Sequence, residues 1–125
     1  MYLDVDILMA LVKEKDFHKG YAEYICSLPK EKYTSVISLV ELEIVIKREI
    51  NNEMSLIILQ LLHKIIPTLK IVPCTEKIFE RSLEIRRKDG LGIFDAIHAA
   101  TALEHDKEIA STDHIYKKVK GLTIV

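Results

Sequence analysis

Short apolar runs alternate with helix-length amphipathic stretches along almost the whole chain. The runs with strand character are Tyr2–Asp4, Tyr33–Ile37, Lys70–Pro73, Glu108–Ser111 and Leu122–Val125. The helix-length stretches are Ile7–Val12, Phe17–Leu28, Leu39–Asn51, Met54–Ile66, Glu76–Lys88, Ile93–His105 and His114–Val119. This alternation is typical of a parallel sheet, because parallel neighbours need a crossover that is usually a helix. We therefore predict an α/β fold: a doubly wound five-stranded parallel sheet, order 3-2-1-4-5, with helices on both faces.

Composition narrows the class of protein further. A chain of 125 residues, 49% hydrophobic and 30% charged, has the size and composition of a single globular domain, residues 1–125. Its net charge of -1 argues against a generally basic nucleic-acid binder but says nothing about local patches. Cys26 and Cys74 lack the spacing of metal ligands, which favours reduced core thiols and a cytoplasmic location. Charged residues and a proline interrupt the longest apolar run, so we expect no membrane span.

Four acidic residues, far apart in sequence, fall at the same kind of predicted position. Asp4 ends the first strand, Asp113 follows the fourth, and Glu41 and Asp95 open helices. Strand carboxyl ends and helix N-termini share one edge of a parallel sheet, where ligand sites lie. Each acid alone could be an ordinary cap, and Ser38 with Glu41 has the spacing of a capping box. Together they predict one acidic pocket and, since carboxylates repel, a Mg²⁺ or Mn²⁺ ion between them.

Residues near these acids are open to two interpretations. Asp6 could cap the first helix or join the pocket. His98, three residues after Asp95, could orient an acid, ligate a metal, or simply be a satisfied helix-face histidine. The basic residues that could contact phosphates, or else form solvated helix faces, are Arg86, Arg87, Lys88, Lys47 and Arg48.

Four segments that contain these acids resemble the PIN-domain nucleases. They are Tyr-Leu-Asp4-Val-Asp6-Ile-Leu, Thr34-Ser35-Val-Ile-Ser-Leu-Val-Glu41-Leu, Gly-Leu-Gly-Ile-Phe-Asp95-Ala-Ile-His-Ala-Ala-Thr-Ala-Leu and Ile-Ala-Ser-Thr-Asp113. The third segment is the most specific, and the resemblance extends over essentially the whole chain. The size and layout are similar to the toxin ribonucleases of type II toxin–antitoxin (VapBC-type) systems. Asp6 departs from the pattern, since the family more often has Asn, Ser or Thr there.

The resemblance implies a metal-dependent endoribonuclease that hydrolyses RNA phosphodiester bonds. It implies Asp4, Asp95 and Asp113 as the main metal ligands and Glu41 as a ligand or a water-orienting base. It also implies a small antitoxin protein as partner. Two other functions are weaker alternatives. One is a non-catalytic PIN-like scaffold. The other is a haloacid-dehalogenase-like phosphatase, which the Asp4-Val-Asp6 sequence imitates, although Ile7 and Leu8 replace the expected turn.

The segment Met54–Ile66 is apolar over most of its circumference. A surface helix needs only an apolar stripe, so this helix is expected to be either deeply buried or in contact with another subunit. The resemblance to PIN toxins, which dimerise through helices of that region, implies the second arrangement. We therefore expect a homodimer with Met54–Ile66 in its interface.

Overall fold

The centre of the molecule is a parallel sheet of five short strands. The structure, a computed structural model, describes residues 1–50 and 55–125. The strands are β1 Tyr2–Leu3, β2 Tyr33–Ser35, β3 Lys70–Val72, β4 Glu108–Ala110 and β5 Thr123–Ile124. They pair in parallel in the order β3-β2-β1-β4-β5, with Tyr2 of β1 opposite Tyr33 on one side and Ile109 on the other. The predicted topology and strand order are confirmed.

Helices cover both faces of this sheet, as predicted. They are α1 Val5–Val12, α2 Lys19–Ser27, α3 Val36–Glu49, α4 Ser55–Ile65, α5 Glu76–Asp89 and α6 Ile93–Glu104, followed by a 3₁₀ helix at His114–Lys118. Side chains of a strand alternate between faces. Leu3 accordingly packs with buried residues of α1 to α4, while Tyr2 packs with buried residues of α5 and α6.

The start of α3 differs from the prediction. Val36 and Ile37, predicted to continue the second strand, already belong to α3, and Ser35 is its N-cap, accepting a hydrogen bond from the Ser38 amide at 3.2 Å. The predicted capping box of Ser38 and Glu41 is therefore wrong. Ser38 is buried inside the helix, and Glu41 lies in its second turn rather than at its start. The β-branched pair at 36–37 favours a strand by propensity, but the Ser35 cap prevails.

Other boundaries move by a few residues. The first helix begins at Val5 rather than Ile7, because the Asp4 side chain caps it by accepting from the Val5 amide at 2.8 Å. The second helix spans Lys19–Ser27 instead of Phe17–Leu28, and the last predicted helix is the 3₁₀ turn. The predicted ends at Asn51 and Met54 lie outside the described residues.

Helix α4 is buried on one side only. Ile58 and Leu62 face the core against α1 and α3, whereas Leu56 and Ile57 are 65% and 54% exposed. The expectation of a deeply buried helix is therefore wrong for this chain taken alone. No helix in the described part of the chain is long and apolar enough to cross a membrane.

Candidate active site

All four predicted acids line one cavity at the carboxyl edge of the sheet. Asp4 follows β1, Glu41 projects from α3, Asp95 lies in the first turn of α6, and Asp113 is the N-cap of the 3₁₀ helix. The cavity has a volume of about 360 Å³. It lies beside β1, where the winding of the sheet reverses between β2 and β4. The sequence thus predicted correctly that these side chains share one edge.

Asp4 is the most deeply buried of these acids. Its amide donates to the Ala110 carbonyl, which fixes it beside β4, and its carboxylate accepts from the Val5 amide and the Ser111 hydroxyl, both at 2.8 Å. The pKa of Asp4 is raised to about 6, mainly by burial; His98 lowers it, the Asp6 charge raises it, and the hydrogen bonds from Ser111 and Val5 lower it. The ionised form is therefore destabilised, as expected for a carboxylate partly deprived of water.

Asp95 and Asp113 also line the cavity. Asp95 is half-buried, and the only hydrogen bond to its carboxylate within the described residues is a long one of 3.5 Å from the Tyr116 hydroxyl. Burial raises the pKa of Asp95, with further increases from the Asp113 and Glu41 charges, while His98 opposes them. Asp113 is exposed and accepts from the Ile115 amide at 2.8 Å.

Glu41 is held by a histidine that the sequence left ambiguous. Nε2 of His98 lies 2.6 Å from Oε2 of Glu41 and 3.8 Å from Oδ1 of Asp4. Burial alone lowers the pKa of the His98 imidazole. The hydrogen bond to Glu41 and the charges of Asp4, Glu41 and Asp95 outweigh that effect, so the net direction is upward. His98 is thus buried and contacts the acidic residues directly.

Asp6 ties the start of α1 to the loop that carries Asp113. Its carboxylate accepts from the Thr112 amide at 2.6 Å, from the Thr112 hydroxyl, and from the Ser111 hydroxyl at 3.3 Å. Asp6 also lines the cavity. Asp4 is the N-cap of α1, so the interpretation of Asp6 as the cap is wrong. Asp6 lies in the first turn of α1, joins the pocket, and makes its main contacts to this loop.

Among the basic residues, Arg48 and Lys13 line the cavity and both lie near Glu49, at 3.7 and 3.5 Å. The sequence analysis did not include Lys13 among the candidate phosphate contacts. Lys13 lies four residues after Met9, another lining residue, and so on the same side of α1. Lys47 lies 3.4 Å from Glu43 instead. Arg86, Arg87 and Lys88 occupy the last turn of α5 and are not among the described residues that line this cavity.

The donor atoms around the cavity suit a hard divalent cation. They are mostly carboxylate oxygens, which Mg²⁺ and Mn²⁺ prefer. As they stand, no three His, Cys, Asp or Glu side chains within residues 1–50 and 55–125 converge closely enough to hold an ion. Mg²⁺ usually keeps several waters and uses one or two carboxylates plus substrate phosphates, so an open arrangement is compatible with it.

Comparison with known proteins identifies the family. A search of curated protein sequences gave no match. Solved structures of similar fold include Mycobacterium tuberculosis VapC20, described as a sarcin–ricin loop cleaving toxin, with 17% identity, 93% of this chain and 92% of that chain covered, and a TM-score of 0.76. A toxin–antitoxin complex from Klebsiella pneumoniae has 22% identity and a TM-score of 0.73, with 99% of this chain and 94% of that chain covered. VapBC2 from Rickettsia felis, bound to a promoter DNA fragment, has 20% identity and a TM-score of 0.74, with 99% of this chain and 96% of that chain covered. The family model of the PIN domain matches residues 1–122, and the chain therefore belongs to the PIN domain family.

Proposed function

We propose that this protein is a metal-dependent endoribonuclease that hydrolyses RNA phosphodiester bonds, and that it is the toxin of a toxin–antitoxin pair. The observation that carries the proposal is the meeting of Asp4, Glu41, Asp95 and Asp113 around one cavity. Membership of the PIN domain family supports the same activity. A similar structure, VapC20, is described as a toxin that cleaves the sarcin–ricin loop, which supports a toxin role here.

Asp4, Asp95 and Asp113 are the proposed ligands of a Mg²⁺ or Mn²⁺ ion. Burial raises the pKa of both Asp4 and Asp95, so the ionised carboxylates lack full compensation in the metal-free protein. A cation would supply it. When bound, the ion provides Lewis-acid charge that makes water a better nucleophile and stabilises negative charge on the phosphate.

Glu41 is proposed to orient the attacking water, to take up its proton, or to complete the ligand set. Oε2 of Glu41 is hydrogen-bonded to His98, so Oε1 is the oxygen that we propose to contact the water or the ion. Arg48 and Lys13, at the rim of the same cavity, are proposed to contact phosphates on either side of the cleaved bond. The basic residues that are not among the described residues lining this cavity are Arg86, Arg87, Lys88 and Lys47. They are proposed, at most, to contact more distant parts of the RNA.

A homodimer and a small antitoxin are the proposed protein partners. Two apolar faces are available for them. Helix α4 exposes Leu56 and Ile57, and α3 exposes Val36, Val40 and Ile44 at one-turn intervals. We assign the α4 face to the second copy of the chain. Several similar structures are toxin–antitoxin complexes, which supports an antitoxin as the second partner. We further propose that residues 1–125 form one domain that acts in the cytoplasm.

Cleavage of bulk RNA by the purified protein tests the activity. We expect cleavage with Mg²⁺ or Mn²⁺, no cleavage in EDTA, and none by an Asp95→Asn variant that remains folded. Asp89→Asn is the matched control, because it makes the same chemical change at the end of α5, outside the acidic cavity. Cleavage of equal rate in EDTA, or by the Asp95→Asn variant, would overturn the proposal. A protein that never cleaves RNA but still binds an antitoxin would instead be a PIN-like scaffold.

A further inference from the structure

His98 is a polar ring inside the core of the molecule. It lies on α6 one turn after Asp95 and has no solvent exposure. The neighbouring Ala99, Ala100 and Ala102 are also fully buried, so α6 packs closely against the sheet at this point. A buried imidazole is costly unless both of its nitrogen atoms have hydrogen-bond partners.

Both nitrogen atoms of His98 have such partners. Nε2 lies 2.6 Å from Oε2 of Glu41, so its N–H donates to the carboxylate. Nδ1 lies 2.7 Å from the hydroxyl oxygen of Tyr2 on β1. The Tyr2 hydroxyl oxygen in turn lies 2.6 Å from Oγ of Ser38 and 3.1 Å from Oγ of Ser35. With both nitrogens engaged, the imidazole is not placed to serve as a metal ligand.

These contacts join four separate elements into one path. Tyr2 comes from β1, Ser35 ends β2, Ser38 lies in the first turn of α3, and His98 comes from α6. Tyr2, Ser35, Ser38 and His98 are all fully buried. The path ends at the Glu41 carboxylate, whose side chain is 24% exposed. Fully satisfied buried networks of this kind fix side-chain positions.

Glu41 has the greatest need of such support among the four acids. Its side chain has one more rotatable bond than an aspartate and extends from the second turn of a helix. Asp4 and Asp113, in contrast, are held by adjacent backbone amides. Among the described residues, the imidazole of His98 is the group that holds Glu41 in one orientation.

We propose that His98 is a positioning residue that fixes Glu41 for metal binding, and that Tyr2 fixes His98. This inference rests on the proposed function, because it gives Glu41 a part in holding the ion. Histidine or carboxylate partners that orient metal ligands typically change metal affinity about 10- to 100-fold when removed. The role of His98 is indirect, and it acts only through the Glu41 carboxylate.

Two substitutions of His98 separate positioning from packing. In His98→Gln the side-chain amide can reach the place of Nε2 and still donate to Glu41. In His98→Asn the shorter amide can reach only the place of Nδ1 and keeps the Tyr2 contact. Mn²⁺ alone is the probe, titrated by calorimetry into the wild type, both variants and their combinations with Glu41→Gln. Circular dichroism melting checks that every variant is folded.

We expect His98→Asn to weaken Mn²⁺ binding about 10- to 100-fold and His98→Gln to stay close to wild type. In the Glu41→Gln background the effect of His98→Asn should disappear, because the two residues act as one unit. Should His98→Asn fail to fold, Tyr2→Phe takes its place, with a smaller loss that also disappears beside Glu41→Gln.

Equal losses in the Asn and Gln variants, or a loss that persists in the Glu41→Gln background, would overturn the positioning role while leaving the proposed function intact. A wild-type protein that binds no Mn²⁺ and cleaves no RNA would overturn both.

Discussion

Replacing Asp4 with asparagine removes a charge that the folded protein accommodates poorly without metal. The Asp4 side chain is only 10% exposed. Burial is the main reason that its pKa rises from an ordinary value of 3.8 to about 6, and the Asp6 charge adds to it while His98 opposes it. Asparagine keeps the shape of the side chain but has no proton to lose. The variant therefore isolates the contribution of this one ionisation to stability.

The size and sign of the effect follow from linkage. One pKa unit corresponds to about 1.4 kcal/mol, so the full rise corresponds to about 3 kcal/mol. Because the folded-state pKa of Asp4 is above the unfolded value, this stability is present below the unfolded pKa and is lost as the pH rises through about 6. Between about pH 4.5 and pH 7.5, this ionisation should lower the free energy of unfolding of the wild type by about 2 kcal/mol. The Asp4→Asn variant should not show this decrease.

Urea unfolding in EDTA at these two pH values measures the difference. Circular dichroism is the suitable signal, since the chain has no tryptophan. The variant loses the carboxylate's hydrogen bonds to Val5 and Ser111, which lowers its stability at both pH values. The informative quantity is therefore the change with pH in the difference between the two free energies of unfolding. A difference that is the same at both pH values, or that favours the variant more at low pH, would refute the reasoning.

Three further results are expected. At about a hundredfold excess over Kd, Mn²⁺ should raise the free energy of unfolding of the wild type by about 2.7 kcal/mol. In urea unfolding, Asp4→Asn and Asp113→Asn should each reduce this Mn²⁺-induced increase. Asp6→Ala should cost about 1 to 3 kcal/mol in the same assay, because the Thr112 amide loses a charged partner, and an unchanged midpoint would contradict this. The wild type should sediment as a dimer at micromolar concentration, and the Ile57→Glu variant should sediment as a folded monomer. If instead the Ile57→Glu variant stays dimeric and the Val40→Glu variant dissociates, the interface lies on α3.

Local sequence signals were enough to predict the sheet and the convergence of the acids. The apolar runs around Tyr2, Tyr33 and Ile109 form the three central strands, and their carboxyl ends meet at one edge. The position of Asp95 in the first turn of its helix was also predicted correctly. These features depend on periodicity and on the geometry of parallel sheets, which residues close in sequence already encode.

Two of the features that were missed depend on contacts between residues far apart in the chain. Ser38 has the spacing of a cap, but its hydroxyl contacts Tyr2, 36 positions away, and Ser35 caps α3 instead. His98 meets Tyr2 and Glu41 only after α6 and α3 have packed together. No local pattern could distinguish this histidine from one on an ordinary helix face.

Helical spacing could have separated the basic residues that line the cavity from those that do not. Arg48 lies seven residues after Glu41, on the same face of α3, and it lines the cavity. Arg86, Arg87 and Lys88 precede Asp95 by a similar interval of seven to nine residues, but they lie at the end of a different helix, α5, which Gly90 closes in the left-handed conformation with φ of 73°. The chain then turns before α6 begins.

Anomalous scattering from crystals grown with Mn²⁺ tests the central claim most directly, because it locates the ion without reference to activity. We predict a peak inside the acidic cavity, in contact with carboxylate oxygens of Asp4, Asp95 and Asp113, and its loss in crystals of the Asp95→Asn variant. A cavity without a peak at saturating Mn²⁺, or a peak only at carboxylates outside the cavity, would contradict the account.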